Sequence, residues 1–203
     1  MAVPDSVYTY AFLQRPLPPD VPGGWQGPVE FIEVGDLAAA VDSALPWDGL
    51  RECDDDLLRA ALVHDRVICE LFRQQPVLPL QFGTVFVSLD GLRRHLLGNA
   101  ERYASRIQTL DGMGEYTLKL TPRPFHPELA DDQPDRERER LIAELKSRGR
   151  LVAGESRRGV ERLHLLVAVR SEAELRKQID QYQVELICWD LDLDGPLPPY
   201  HFA

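Results

Sequence analysis

Proline placement constrains this chain more than any other feature. It recurs in blocks: Pro16, Pro18, Pro19, Pro22 and Pro28; Pro76 and Pro79; Pro122, Pro124, Pro127 and Pro134; and Pro196, Pro198 and Pro199. Proline has no amide hydrogen to give a strand ladder or a helix interior. Each block must therefore be a loop, an edge or a helix end, with the regular elements between them. The first block, mixed with Gly23, Gly24 and Gly27, reads as a loop. The third, Thr121 to Pro134, is a stiff polar connector. This predicts an N-terminal α+β domain over 1–121, a proline-rich connector over 122–134, and a C-terminal α+β domain over 135–203 that ends in a proline-rich tail.

Between the blocks, apolar periodicity assigns the elements. Val7 to Leu13 reads as a strand, as do Val29 to Val34 and Leu37 to Val41 across the Gly35-Asp36 turn. Asp54, Asp55 and Asp56 suit the first turn of a long helix, whose apolar face carries Leu57, Ala61, Ile68 and Leu71. Val77 to Val87 carries no charge, which predicts a strand buried on both faces at the centre of a sheet. Leu92, Leu96, Ala100, Tyr103, Ile107 and Leu110 mark a second helix, with Ser88 and Asp90 as caps, and Glu115 to Leu120 a further strand. Beyond the connector come a helix over Asp135 to Arg148, an irregular stretch over Gly149 to Gly159, and a strand over Leu163 to Val169. A helix opened by a capping box at Ser171 to Glu174 and a last strand over Val184 to Leu193 complete the chain. The predicted class is α+β, two small α+β domains, the second ferredoxin-like or a variant of it with half of its strands supplied from elsewhere. In the last strand the apolar parity shifts from Leu186 and Cys188 to Trp189 and Leu191. That calls for a bulge near Cys188 and Trp189, or for burial of both faces.

The chemistry is sparse. The net charge is -10, and glutamates interleave with the arginines between Arg136 and Arg158, which argues against a nucleic-acid surface. Cys53, Cys69 and Cys188 form no metal or disulfide pattern. No apolar run approaches the ~20 residues that cross a bilayer, so no lipid membrane partner is expected. The start of the chain does not read as a secretory signal, and the expected setting is the cytosol or a structure assembled there. No phosphate loop, nucleophile elbow or zinc-binding His-Glu pattern occurs. Accordingly no catalytic, cofactor-binding or metal-ligating residue is assigned. His64 and Asp65 read as a surface or half-buried helix pair, and His95 falls on the polar side of its helix. His126 lies in the connector, and His164 reads as a hydrogen-bonded core residue rather than a ligand. Asp190, Asp192 and Asp194 read as the solvent side of a strand whose Trp189, Leu191 and Leu193 face inward.

Two segments carry more information. One is Pro76-Val77-Leu78-Pro79-Leu80-Gln81-Phe82-Gly83-Thr84-Val85-Phe86, the other Leu193-Asp194-Gly195-Pro196-Leu197-Pro198-Pro199-Tyr200-His201-Phe202. With Val7-Tyr8-Thr9-Tyr10, the stretch Val34 to Val41, and Glu115 to Leu120, they occur in an order that resembles the gas vesicle GvpF/GvpL family. Gln81 stands where that family usually has Arg, Leu197 where it usually has Trp, and the span from Leu120 to Val160 is shorter than in many relatives.

The resemblance implies a non-enzymatic accessory or minor structural protein of the gas vesicle, either an assembly factor or a shell component. Its implied location is the vesicle, with a cytoplasmic stage before or during assembly. The implied partners are the small hydrophobic shell protein GvpA and other Gvp accessory proteins, and self-association is left open. No cofactor is implied. Phe82, Gly83, Thr84, Gly195 and Pro196 read as structural parts of the signature. Pro198 and Pro199 stiffen the tail into an extended form, so that Tyr200 and Phe202 either dock on the protein itself or meet a partner. Trp189 joins them as a candidate for partner binding or domain docking. The alternatives are a small-molecule-binding regulatory protein and an enzyme with an inter-domain pocket.

Overall fold

The computed structural model describes residues 6–50, 52–124 and 132–203. The chain forms two compact units, one of residues 1–111 with Ala203 and one of residues 112–202.

The first unit contains β1 (Val7–Gln14), β2 (Glu30–Val34), β3 (Leu37–Asp42), the single-turn α1 (Trp47–Leu50), α2 (Asp54–Phe72), β4 (Val77–Pro79), β5 (Val85–Phe86), α3 (Leu89–Gly98) and α4 (Ala100–Thr109). Its antiparallel sheet runs β2-β3-β1-β4, with β5 also paired to β1. Every residue from Val7 to Leu13 is buried, as is every residue of β3. Successive strand residues face opposite ways, so both faces of these two strands are covered. α2 and α4 each pack on β1 and β4.

The charge-free stretch Val77 to Val87 is therefore not the central strand that its composition predicts. It is two short strands at the edge of the sheet, joined by a turn, with Val87 85% exposed. The uncharged central strand is β1. The predicted single helix over Leu92 to Leu110 is split at Asn99 into α3 and α4. Ser88 caps α3 by accepting a hydrogen bond from the Gly91 amide at 3.0 Å.

The second unit contains β6 (Met113–Pro122), α5 (Gln133–Lys146), β7 (Arg150–Ala153), β8 (Glu161–Ala168), α6 (Glu172–Glu185) and β9 (Trp189–Leu197). Its antiparallel sheet runs β7-β8-β6-β9. This β-α-β-β-α-β succession is the one ferredoxin-like motifs share. The strands that the C-terminal reading lacked are β6, expected as a strand but placed in the first domain, and β7, which falls in the stretch expected to be irregular. β6 pairs with β8 and β9, so the first domain ends near Gly112 and not at 121: residues 112–121 belong to the second sheet. The expected connector is correspondingly narrower. Pro122 ends β6, Gln133 opens α5, and residues 125–131, including His126, lie outside the described residues.

Alternation along β6 divides the second unit. Tyr116, Leu118 and Leu120 join Leu163, Leu165 and Val167 of β8 against Leu141, Leu145, Leu175 and Ile179 of the helices. Glu115, Thr117 and Lys119 are on the other parity. There Lys119 bridges Asp192 at 3.1 Å and Asp194 at 2.5 Å, and Arg123 holds Asp190 at 2.8 Å. The acidic comb thus faces basic residues and solvent, while Trp189, Leu191 and Leu193 lie against the core.

The parity shift has a different cause from a bulge or a doubly buried strand. Val184 is still in α6 and 87% exposed, Leu186 closes the helix, and β9 begins only at Trp189. Ser171 stands at the start of α6 without making a side-chain cap bond.

Candidate functional site

In the first unit, the turn between β4 and β5 is built by hydrogen bonds from its own residues. Thr84 returns both its hydroxyl, at 2.7 Å, and its amide, at 3.1 Å, to the Gln81 carbonyl. The Thr9 amide donates to the Thr84 carbonyl at 2.9 Å, which ties the turn to β1. Gly83 has φ of 90°, a region side chains rarely adopt, and a Cβ there would lie 2.7 Å from the Trp47 ring.

Under the turn, the Gly83 amide donates to the Tyr8 hydroxyl at 3.3 Å, and that hydroxyl lies 2.8 Å from His64 Nδ1. His64 Nε2 lies 3.1 Å from the Leu80 carbonyl. A carbonyl only accepts, so Nε2 carries the proton, and Nδ1 accepts from Tyr8. His64 is buried rather than a surface or half-buried helix pair with Asp65. Burial holds its pKa below the ordinary imidazole value, against the pull of the Leu80 carbonyl. Burial likewise pushes the Tyr8 and Tyr10 hydroxyls well above the usual range, with Asp42 adding to both. Phe82 packs edge-on against Trp47, with ring centroids 5.2 Å apart, and remains 38% exposed. His95 is half-buried, its Nε2 2.6 Å from the Tyr103 hydroxyl.

Beside this turn is a cavity of about 570 Å³ lined by Ser6, Leu45, Pro46, Trp47, Val85 and Val87, among others. It adjoins β5, whose pairing is to β1. Among the described residues no strand pairs with the outer side of β5.

In the second unit, the tail after β9 turns back. Tyr200 and Phe202 donate their amides to the Pro198 and Pro199 carbonyls, at 2.8 and 3.1 Å. Pro198, Pro199 and Phe202 are buried, Tyr200 is half-buried, and the Arg150 guanidinium lies over the Phe202 ring at 5.3 Å. The tail is thus a turn and not the extended form expected after two prolines, and Phe202 is buried on the protein itself. Gly195 has φ of 128°, and a Cβ there would lie 2.8 Å from the Glu115 carbonyl, so a side chain would strike β6. Arg176 donates to the Gly195 carbonyl at 2.6 Å, and Pro196 follows in β9. Trp189 is 7% exposed and donates its indole N–H to the Pro134 carbonyl at 3.0 Å. It belongs to the core and offers little surface to a partner.

The model of the gas vesicle synthesis protein GvpL/GvpF family matches residues 6–154. The chain belongs to the GvpL/GvpF family. Gas vesicle protein L of Streptomyces sp. (strain CB03234) is 31% identical over 139 residues, covering 63% of this chain and 52% of that protein. The chain thus spans about half the length of this curated relative. In fold it is similar to the crystal structure of GvpF from Anabaena sp. PCC7120, with a TM-score of 0.79 and 16% identity over 98% of this chain and 95% of the other. GvpF from Microcystis aeruginosa gives 0.77 and 14%, covering 98% of each chain. The GvpL/GvpF match contains the β4–β5 turn and β6, whereas the tail lies beyond it.

One grouping in this GvpL/GvpF chain has no counterpart in the sequence reading. Glu115, His164 and His201 present donor atoms within 4.8 Å of one another. Their faint signal is a polar residue inside an apolar strand, as with His164 between Leu163 and Leu165. Nothing local links them to His201, which is 86 residues from Glu115.

Proposed function

We propose that this GvpL/GvpF chain serves gas vesicle formation as a non-enzymatic accessory or minor structural protein that covers apolar surface of the shell protein GvpA. The observation that carries the reading is the cavity beside β5, where Leu45, Pro46, Trp47, Val85 and Val87 outweigh the polar Ser6, Gln26 and Ser43, with Val87 85% exposed. A water-excluding shell is built from subunits that expose apolar surface before assembly, and such surface aggregates. Burying one Leu- or Phe-sized side chain is worth about 1.5–3 kcal/mol. An incoming strand can pair with β5 through its main chain while its apolar side chains enter the cavity. The net charge of -10 favours solubility of the pair. The gas vesicle is the site of action, with a cytoplasmic stage during assembly, and other Gvp proteins are further partners.

The test is retention of GvpA by the immobilised full-length chain, compared with a Val85→Lys/Val87→Lys variant. The expected result is capture by the parent chain, with at least ~10-fold weaker capture by the variant at an unchanged melting temperature, a cost of ~1.4 kcal/mol. Equal capture by the two, or none by the parent, overturns the reading. Whether the chain remains on washed, intact vesicles separates a shell component from an assembly factor.

A further inference from the structure

We propose that Glu115, His164 and His201 form a binding site for one divalent transition-metal ion of the zinc class, which pins the C-terminal tail to the second sheet. Glu115 is 1% exposed, and a carboxylate buried that deeply needs a compensating charge. Among the described residues its ion-pair partners are two imidazoles. Oε1 lies 2.7 Å from His201 Nδ1 and 3.3 Å from His164 Nδ1. Oε2 accepts the His201 amide at 2.9 Å. Two nitrogens thus converge on one carboxylate oxygen.

The 3.3 Å spacing fits a small ion, whereas the 2.7 Å one is a hydrogen bond that must open to admit it. Zinc binds imidazole nitrogen and carboxylate oxygen at ~2.0–2.2 Å in a tetrahedron, whose edge is then about 3.3 Å. The donor set, two imidazoles and a carboxylate, suits zinc and its neighbours better than calcium or magnesium, which favour oxygen ligands alone. Two ligands are set by strand pairing: Glu115 is opposite Leu166 on β8, and Thr117 is opposite His164. Thr117 Oγ1 lies 3.1 Å from His164 Nδ1, a contact that an ion taken by the same nitrogen replaces. The third ligand rides on the tail. Its ring stacks on His164, with centroids 3.5 Å apart and planes 14° apart. In-plane lone pairs of parallel rings do not meet at one point, so the rings must splay to share an ion. The His201 side chain is 45% exposed and has room to turn.

The full-length chain, stripped with chelator, is titrated with zinc and separately with cobalt(II), read by calorimetry, cobalt visible absorption and thermal melting. The expected result is one ion per chain, a tetrahedral cobalt spectrum and a higher melting temperature. His201→Ser, at an exposed position in the largely buried tail, should weaken binding at least ~100-fold while circular dichroism stays unchanged. Glu115→Gln should do the same where it folds. Cys53→Ser, which removes an exposed thiol, should leave uptake intact. The proposal is overturned if the parent chain takes up no stoichiometric ion, if His201→Ser binds as tightly as the parent, or if Cys53→Ser abolishes uptake.

Discussion

At the scale of single residues, the signature stretch works through Tyr8, His64 and Gly83. His64 is a buried acceptor whose donor is the Tyr8 hydroxyl, and the same hydroxyl accepts from the Gly83 amide. Tyr8→Phe removes both bonds without opening a large hole, and should cost about 1–3 kcal/mol, the usual penalty for stranding a buried polar group. Gly83→Ala places a methyl against Trp47 at a backbone angle that side chains avoid. Its expected cost is about 1–3 kcal/mol in chemical denaturation. His64 also predicts a pH dependence. Its folded pKa lies below the unfolded value of about 6.5, so across that interval the unfolded state binds more protons. Its contribution is complete above the unfolded pKa and declines as the pH falls through it toward the folded pKa. Denaturation midpoints measured from neutral to mildly acidic pH should show this decline, and a His64→Gln variant should lose it.

At the scale of elements, Glu137 and the tail each join distant parts of the second unit. Glu137 on α5 is buried and accepts the Ile187 and Cys188 amides at 3.1 and 3.0 Å, fixing the short passage between α6 and β9. Burial alone would raise its carboxyl. The bonds from Gln133 and these two amides outweigh that effect and hold it below the usual carboxylate range. Its stabilisation is therefore present above the unfolded carboxylate pKa and is lost as the pH falls through the lower folded one. Glu137→Ala should lower stability by about 1–3 kcal/mol, since the two amides lose their acceptor. Deleting Pro198 to Ala203 removes the buried Phe202 and uncovers Glu115. It should lower the melting temperature, with a loss of at least the ~1.5–3 kcal/mol of one buried aromatic.

The elements legible beforehand are those with a long, clean period. α2, α5 and α6 repeat apolar residues every three or four positions, and β1, β3 and β8 are long apolar runs between turn residues. What escaped was short or conflicting. β7 has four residues and mostly exposed side chains, so alternation had nothing to register. β4 and β5 are too short to display their turn. Val184 to Cys188 spans the end of α6 and the passage to β9, and its mostly apolar composition does not separate a helix end from the start of a strand. The β4–β5 turn was legible as a segment. Its hydrogen-bonded partner His64 was not, because the Tyr8 contact spans 56 residues.

At the scale of the whole molecule, the chain visits the two sheets in the same way, one after the other. In the first unit, β1 stands inside the sheet, with β3 on one side and the late strands β4 and β5 on the other. In the second, β6 is the first strand made and stands inside the sheet, with the last strand, β9, along one side. During synthesis the first unit can complete its sheet while the ribosome is still translating the second. The second cannot: until residues 189–197 emerge, β6 keeps one open flank and its half of the core lacks a wall. A nascent chain arrested at Cys188 should therefore resist protease over residues 6–111 and be cut beyond them, and release of the completed chain from the ribosome should bring protection to both. The interval before that release is when a folding helper or a premature contact with another greasy chain has its opportunity.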